Sequence, residues 1–233
     1  MKPLNEYYFA THLKELRYRL IVSFLTVSLF CVVAYLFIKP ITHLLVAPLF
    51  TAYPDLASLI YTNLTEAFFS YLKLAILVGI IAAFPMLLYQ TWMFVSPGLQ
   101  KKEKRQTLIV VLGATFLFVG GVLFSYLVVL PEMLSFFMGF ARDNLRPMPK
   151  FGTYLTFVAR NALAFGLAFE VPFLMVAATR SGLVKRGYFR KQRLYAYAAL
   201  VGLGFLLAAG DPFSAVLVAI PLGILYEIGS IFN

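Results

Sequence analysis

The chain contains one cysteine, one tryptophan and two histidines in 233 residues. A single thiol, Cys31, builds no disulfide framework. His12 and His43 stand far apart with no acidic or thiol companion at ligand spacing, so no metal site is expected. Charge is scarce as well: 13% of residues are Asp, Glu, Lys or Arg, against about 25% in a soluble domain. Acids are the rarer sign, ten against twenty basic residues. No Gly-x-Ser-x-Gly sequence occurs, and both histidines fall outside the apolar segments, which removes the serine-type intramembrane hydrolases. Neither an enzyme nor a cofactor is expected. The basic excess is spread over three short segments rather than one patch, so nucleic-acid binding has no support.

What the chain has in abundance is hydrocarbon. Hydrophobic residues make up 61% of it, with a mean hydropathy of +0.85, and no set of soluble cores could bury that much in so short a chain. The expected class is all-α, a polytopic integral membrane protein forming one transmembrane domain over 1–233. About 20 apolar residues cross a hydrocarbon core of about 30 Å, and six runs qualify: about 20–38, 67–95, 107–130, 154–179, 194–209 and 213–232. None alternates with period two, which excludes barrel strands.

Orientation follows from the Lys and Arg residues. Segments sharing a side with the N-terminus carry Lys2, Lys14, Arg17 and Arg19, then Lys101, Lys102, Lys104 and Arg105, then Arg180, Lys185, Arg186, Arg190, Lys191 and Arg193. The opposite side has only Lys39, Arg142, Arg146 and Lys150. Both termini are therefore expected in the cytoplasm. The first span, ending Phe37-Ile38-Lys39-Pro40 with no small-x-small exit, reads as a retained helix rather than a cleaved leader. The two long outward loops, about 39–66 and 131–153, hold six prolines and apolar clusters at 44–49 and 133–137, the pattern of short capping helices.

Span lengths are uneven. The second, about 29 residues or ~43 Å, and the fourth must tilt, bend or protrude, with Pro85 and Pro172 as places to bend. The fifth has only about 16 residues, and Asp211-Pro212 forces a tight outward hairpin before the sixth. Short spans beside long ones lead us to expect a concave bundle with a locally thin membrane.

Lys73 and Arg160 lie near helix ends, where long side chains reach the headgroups, and Glu227 is about one turn from the cytoplasmic end. Glu170, in AFGLAFEVPFLMVA, is deep in span four, where a charge costs about 2.5–3.5 kcal/mol on insertion scales. Gly166, Ala162 and Ala159 share its stripe and would let another backbone approach. Pro172 removes the N–H that the Ala168 carbonyl would use. Two readings stay open: a carboxyl hydrogen-bonded within the bundle, to Gln90 or a freed carbonyl, or an intramembrane polar site for a partner, substrate or proton. A proton-coupled small-solute transporter would use such a glutamate too, but usually carries inverted repeats and two broken helices, and the two halves of this chain show no convincing repeat.

On the cytoplasmic side, the fourteen basic residues are accompanied by few acids: Glu6, Glu15 and Glu103. Residue chemistry alone pairs Glu15 with Arg19 at i,i+4 and makes the face a surface for anionic membrane lipids.

Five short sequences carry a resemblance along nearly the whole chain: HLKELRYRL before the first span, APL at 47–49, FVSPGL followed by KKEKR, AFEVP in span four, and AIPLGILYEIG near the end. In order and spacing they resemble the TatC family, the twin-arginine translocase subunits of bacterial and archaeal cytoplasmic membranes. The resemblance implies a receptor that binds twin-arginine signal peptides of folded precursors and assembles with TatA- and TatB-like single-span subunits, as a homo- or hetero-oligomer, for export driven by the proton-motive force. It places Glu15, Arg17 and Glu103 in the signal-peptide site, with Phe94 and Pro97 shaping it and Pro48 and Asp211 shaping the outward caps. A carboxylate is a suitable partner for a peptide arginine because a guanidinium fork meets it at two points and an ammonium cannot. The chain departs from some relatives at LLAAG (206–210) and after Asp211, where polar side chains are missing, so a hydrogen-bonded docking site for a partner helix is not expected at that hairpin.

Overall fold

The fold is that of a computed structural model, which describes residues 4–54, 56, 58–63, 65–95, 104–139, 148–180, 184–185, 187–207 and 212–231. Its elements are almost all helical: α1 (Leu4–Leu36), α2 (Ile38–Ala52), α3 (Glu66–Val95), α4 (Lys104–Phe124), a π-helical turn (Ser125–Val129), α5 (Leu130–Met138), α6 (Phe151–Phe169), α7 (Val171–Arg180), α8 (Tyr188–Lys191), α9 (Arg193–Leu207) and α10 (Pro212–Ile231). Among the described residues, four stretches are long and apolar enough to cross a membrane: Leu13–Leu36, Glu66–Phe94, Ile109–Phe137 and Phe151–Thr179. Shorter apolar helices cover Ile38–Ala52, Arg193–Phe205 and Val218–Ile231.

Several boundaries differ from those read in the sequence. The first helix starts well before residue 20, running unbroken from Leu4 into the span. The third span does not stop at 130. Pro131, which lacks an N–H, sits at the start of α5, and the turn before it widens, with the Leu130 N–H reaching back five residues to the Ser125 carbonyl. A π turn absorbs such a mismatch without breaking the rod, so the apolar 133–137 cluster continues the span instead of forming a separate cap. Pro85 lies inside an uninterrupted α3. The fourth span does break, at Glu170, two residues before Pro172.

The chain forms two compact units, Met1–Lys39 with Tyr71–Thr115, and Pro40–Ser70 with Phe116–Asn233. In the first, α1 and α3 touch at glycine: a Cβ on Gly79 would stand 2.7 Å from the Cys31 backbone, and the Cys31 thiol donates to the Ile76 carbonyl at 3.8 Å. In the second, Val129, Met133, Phe165, Ala168, Val218 and Leu222 form a buried cluster joining the π turn, α5, α6 and α10. Helices α4 and α6 also meet closely there. A Cβ on Gly121 would lie 2.4 Å from the Phe165 carbonyl oxygen, and the Phe118 ring covers Gly166.

The second unit also contains the described parts of the connections from α2 to α3 and from α5 to α6. Ile60 and Lys150 form a parallel bridge, in which the Ile60 N–H donates to Pro149 O at 3.3 Å and the Phe151 N–H to Ile60 O at 2.8 Å. Glu66, the first residue of α3, ties the preceding segment to the helix start by accepting from the Thr62 backbone N–H at 2.8 Å and hydroxyl at 3.1 Å. Helix α2 contains Pro48, which cannot donate to Leu44 O four residues back. The Tyr126 hydroxyl, from the π turn, donates to that carbonyl instead at 2.6 Å, and the Tyr154 hydroxyl donates to the next, Leu45 O, at 2.8 Å.

Candidate functional site

Glu15 and Arg19 lie one turn apart on α1, just before the uncharged stretch that begins at Leu20. Arg19 donates from Nε at 3.1 Å and from Nη2 at 2.6 Å, both to Glu15 Oε1. Its third nitrogen, Nη1, donates to Gln90 Oε1 on α3 at 3.3 Å. The Arg19 side chain is only 15% exposed while Glu15 keeps 34%, so the guanidinium is tucked inward and the carboxylate is reachable. Gln90 is buried at 7% exposure. Arg17 is exposed on α1, and Phe94, half-buried, is one turn beyond Gln90 on α3. Glu15, Arg19 and Gln90 are thus brought together within one compact unit. Glu103 and Pro97, expected to complete the site, lie outside the described residues, as does Asp211. Pro48 is half-buried on α2.

Glu170 terminates α6. Its N–H bonds Leu167 O at 3.1 Å, and its own carbonyl accepts from Leu174 N at 2.8 Å, starting α7. The side chain is 3% exposed, and neither carboxyl oxygen has a hydrogen-bond partner among the described residues. Gly166, in its stripe of small residues, is taken up by Phe118 of α4 in the same chain. Asn161, also buried, donates to Phe157 O at 3.0 Å and leaves its Oδ1 unpartnered among the described residues. Lys73 and Arg160 are exposed, as expected of side chains that reach for headgroups.

Glu227, legible in the sequence only as a charge near a helix end, is the hub of a polar cluster. Arg193 Nη2 donates to its Oε2 at 2.7 Å, the Tyr197 hydroxyl bonds Oε1, and the Ser230 hydroxyl approaches Oε2 at 3.3 Å. Arg190 donates from Nε to Ser230 O at 3.1 Å and from Nη2 to Ile231 O at 3.3 Å, and the Tyr226 hydroxyl donates to Phe189 O. The available signal was spacing: Arg193 and Tyr197 are one turn apart, so two donors on α9 face one carboxylate. Beside this cluster an apolar groove of about 610 Å³ runs between α9 and α10, lined by Leu200, Val201, Val216, Ile220, Ile224 and neighbouring residues.

The family model for the Sec-independent protein translocase protein TatC matches residues 11–221, nearly the whole chain and all the expected site positions from Glu15 to Asp211. The chain belongs to the TatC family. A TatC protein of Desulforapulum autotrophicum is 43% identical over 96% of this chain and 83% of its own length, and one from Aquifex aeolicus is 37% identical over 99% and 93%. A crystal structure of the twin-arginine translocase receptor TatC superposes with a TM-score of 0.85 at 36% identity, covering 95% of this chain and 97% of the other. The receptor crystallised in DDM gives 0.86, again at 36% identity, covering 94% and 98%. As a TatC member, this is a multi-pass protein of the cytoplasmic membrane and a translocase component rather than an enzyme.

Proposed function

We propose that the chain is the receptor subunit of a twin-arginine translocase. It binds the paired arginines of signal peptides on folded precursors at its cytoplasmic face, with Glu15 and Glu103 as acceptors and Arg17, Phe94 and Pro97 around them. The observation that carries the reading is the partly exposed Glu15 carboxylate, which already accepts two N–H groups of a guanidinium through Oε1. A carboxylate that already accepts two guanidinium N–H groups is a suitable partner for a peptide arginine. The surrounding excess of Lys and Arg repels stray cations and makes an isolated carboxylate selective. The basic segments favour six spans in one transmembrane domain with both termini inside.

Assembly with TatA- and TatB-like subunits, and export powered by the proton-motive force, complete the proposal. The α9–α10 groove has an apolar lining suited to side chains of a single-span helix, and Glu227 beside it is already committed to Arg193 and Tyr197. Such a helix would be held there by packing rather than by hydrogen bonds. Glu170, buried and unsatisfied among the described residues, supplies an intramembrane acceptor for a partner or a proton.

The test is peptide binding to the purified chain in nanodiscs. Glu15→Gln and Glu103→Gln are each expected to weaken a twin-arginine peptide at least about tenfold, the scale of losing one charge-assisted contact. Replacing the peptide's arginines by lysines should cost as much. Undiminished affinity in both variants would sink the assignment, and equal binding of the two peptides would reduce it to plain charge attraction.

A further inference from the structure

An ionised carboxylate offers two oxygens, each with two lone pairs. Arg19 fills both acceptor positions of Glu15 Oε1, at 3.1 and 2.6 Å, and places no donor on Oε2. A peptide guanidinium that meets the carboxylate fork to fork needs both oxygens. With Arg19 in place only a one-point contact through Oε2 is open. We propose that Arg19 is a resident occupant of the arginine-recognition site: a peptide arginine gains its two-point contact with Glu15 only by displacing the Arg19 guanidinium toward Gln90. The inference rests on the reading that Glu15 meets the peptide.

Three features favour an occupant over a mere strut. Arg19 approaches a single oxygen, whereas a strut that oriented the carboxylate would gain from gripping both. Its guanidinium already has a second acceptor, Gln90 Oε1 at 3.3 Å, so displacement does not strand a buried charge without partners. Finally, Arg19 and Glu15 share one helix at i,i+4, where pair energies are small enough to be overcome by an incoming ligand. The occupant stays on the same turn after displacement, at high effective concentration, and so competes continuously for the carboxylate and speeds peptide release. A lysine, whose compact ammonium is satisfied by one oxygen, bypasses the competition. Arg19 therefore trades affinity for exchange: it weakens the arginine contact selectively and keeps a receptor that must hand on its cargo from holding it too long.

The experiment uses the full chain in nanodiscs, fluorescent twin-arginine and twin-lysine peptides, and stopped-flow anisotropy. Arg19→Lys keeps the charge and removes the fork. It is expected to tighten the twin-arginine peptide about three- to tenfold, mostly through slower dissociation, with the twin-lysine peptide moving less than about twofold. Gln90→Leu leaves every charge in place but removes the acceptor for the displaced guanidinium. It should act in the opposite direction, weakening the twin-arginine peptide and leaving the twin-lysine peptide nearly unchanged, and it carries the test if the Arg19 variant does not fold. Weaker or unchanged twin-arginine binding in Arg19→Lys, or unchanged or tighter binding in Gln90→Leu, overturns the proposal and makes Arg19 an orienting strut. An equal gain for both peptides also overturns it. Glu15→Gln in parallel separates the two levels. If that variant binds as tightly as the parent, the Glu15 reading itself fails. If it loses affinity while Arg19→Lys gains none, only the occupant role is lost.

Discussion

Glu170 and Glu227 are both carboxylates on apolar helices, and their surroundings differ in kind. Glu227 is met by an arginine, a tyrosine and a serine; Glu170 is buried with both oxygens unsatisfied among the described residues. An unsatisfied buried acceptor costs about 1–3 kcal/mol, and replacing it with an apolar group of similar shape recovers that loss. Glu170→Met is therefore expected to raise the thermal midpoint of the purified protein by several degrees, at about 2–4 °C per kcal/mol for a chain of this size, while export in cells falls. Glu170→Gln should impair export with little change in midpoint. A Met variant that melts below the parent would mean that the carboxyl is satisfied within the folded chain. The sequence singled out Glu170 through its depth in an apolar run. The partners of Glu227 could not be read that way, because Arg193 and Tyr197 come from another helix and only packing brings them to it.

Among the elements, α2 shows how one irregularity is matched by another. Pro48 frees a carbonyl, and the π turn aims Tyr126 at it. The two should be energetically coupled: Tyr126→Phe is expected to cost about 1 kcal/mol in the parent and close to nothing in a Pro48→Ala background, where an N–H is restored to Leu44 O. A double-mutant cycle by thermal unfolding measures this, and an additive result would remove Tyr126 as the proline's counterpart. Most elements were legible in the sequence. The apolar runs gave the helices, the apolar cluster at 44–49 within the 39–66 loop gave α2, and Pro172 gave the break in span four. The 133–137 segment was misread because Pro131 looks like a stop. Whether a proline ends a helix or is carried through depends on how the preceding turn can widen, a choice made by tertiary packing around Ser125–Val129. At the candidate site, Glu15–Arg19 followed from i,i+4 spacing, but the contact between Arg19 and Gln90 joins positions 71 residues apart, beyond any local pattern.

For the whole molecule, the distribution of basic residues predicts topology. With Cys31 changed to Ser, single cysteines at Gly187 and at Asn63 should react with a membrane-impermeant maleimide from opposite sides, the first only after the cytoplasmic face is opened and the second in intact cells. The reverse pattern would invert the chain and place Glu15 where no precursor could reach it before transport. The π turn has a consequence at this scale too. Its Leu130-to-Ser125 bond holds one residue more than an α-helical turn would, so Ser125–Val129 is a stored unit of chain length. Deleting one residue there lets the helix revert to regular winding while α5 and the core below it keep their positions. Deleting one from the middle of α4 has no such slack and must turn one half of the rod by about 100° against the other. Tolerance to indels along this helix should therefore be confined to the five residues around Tyr126, with Tyr126 itself kept in register against Leu44.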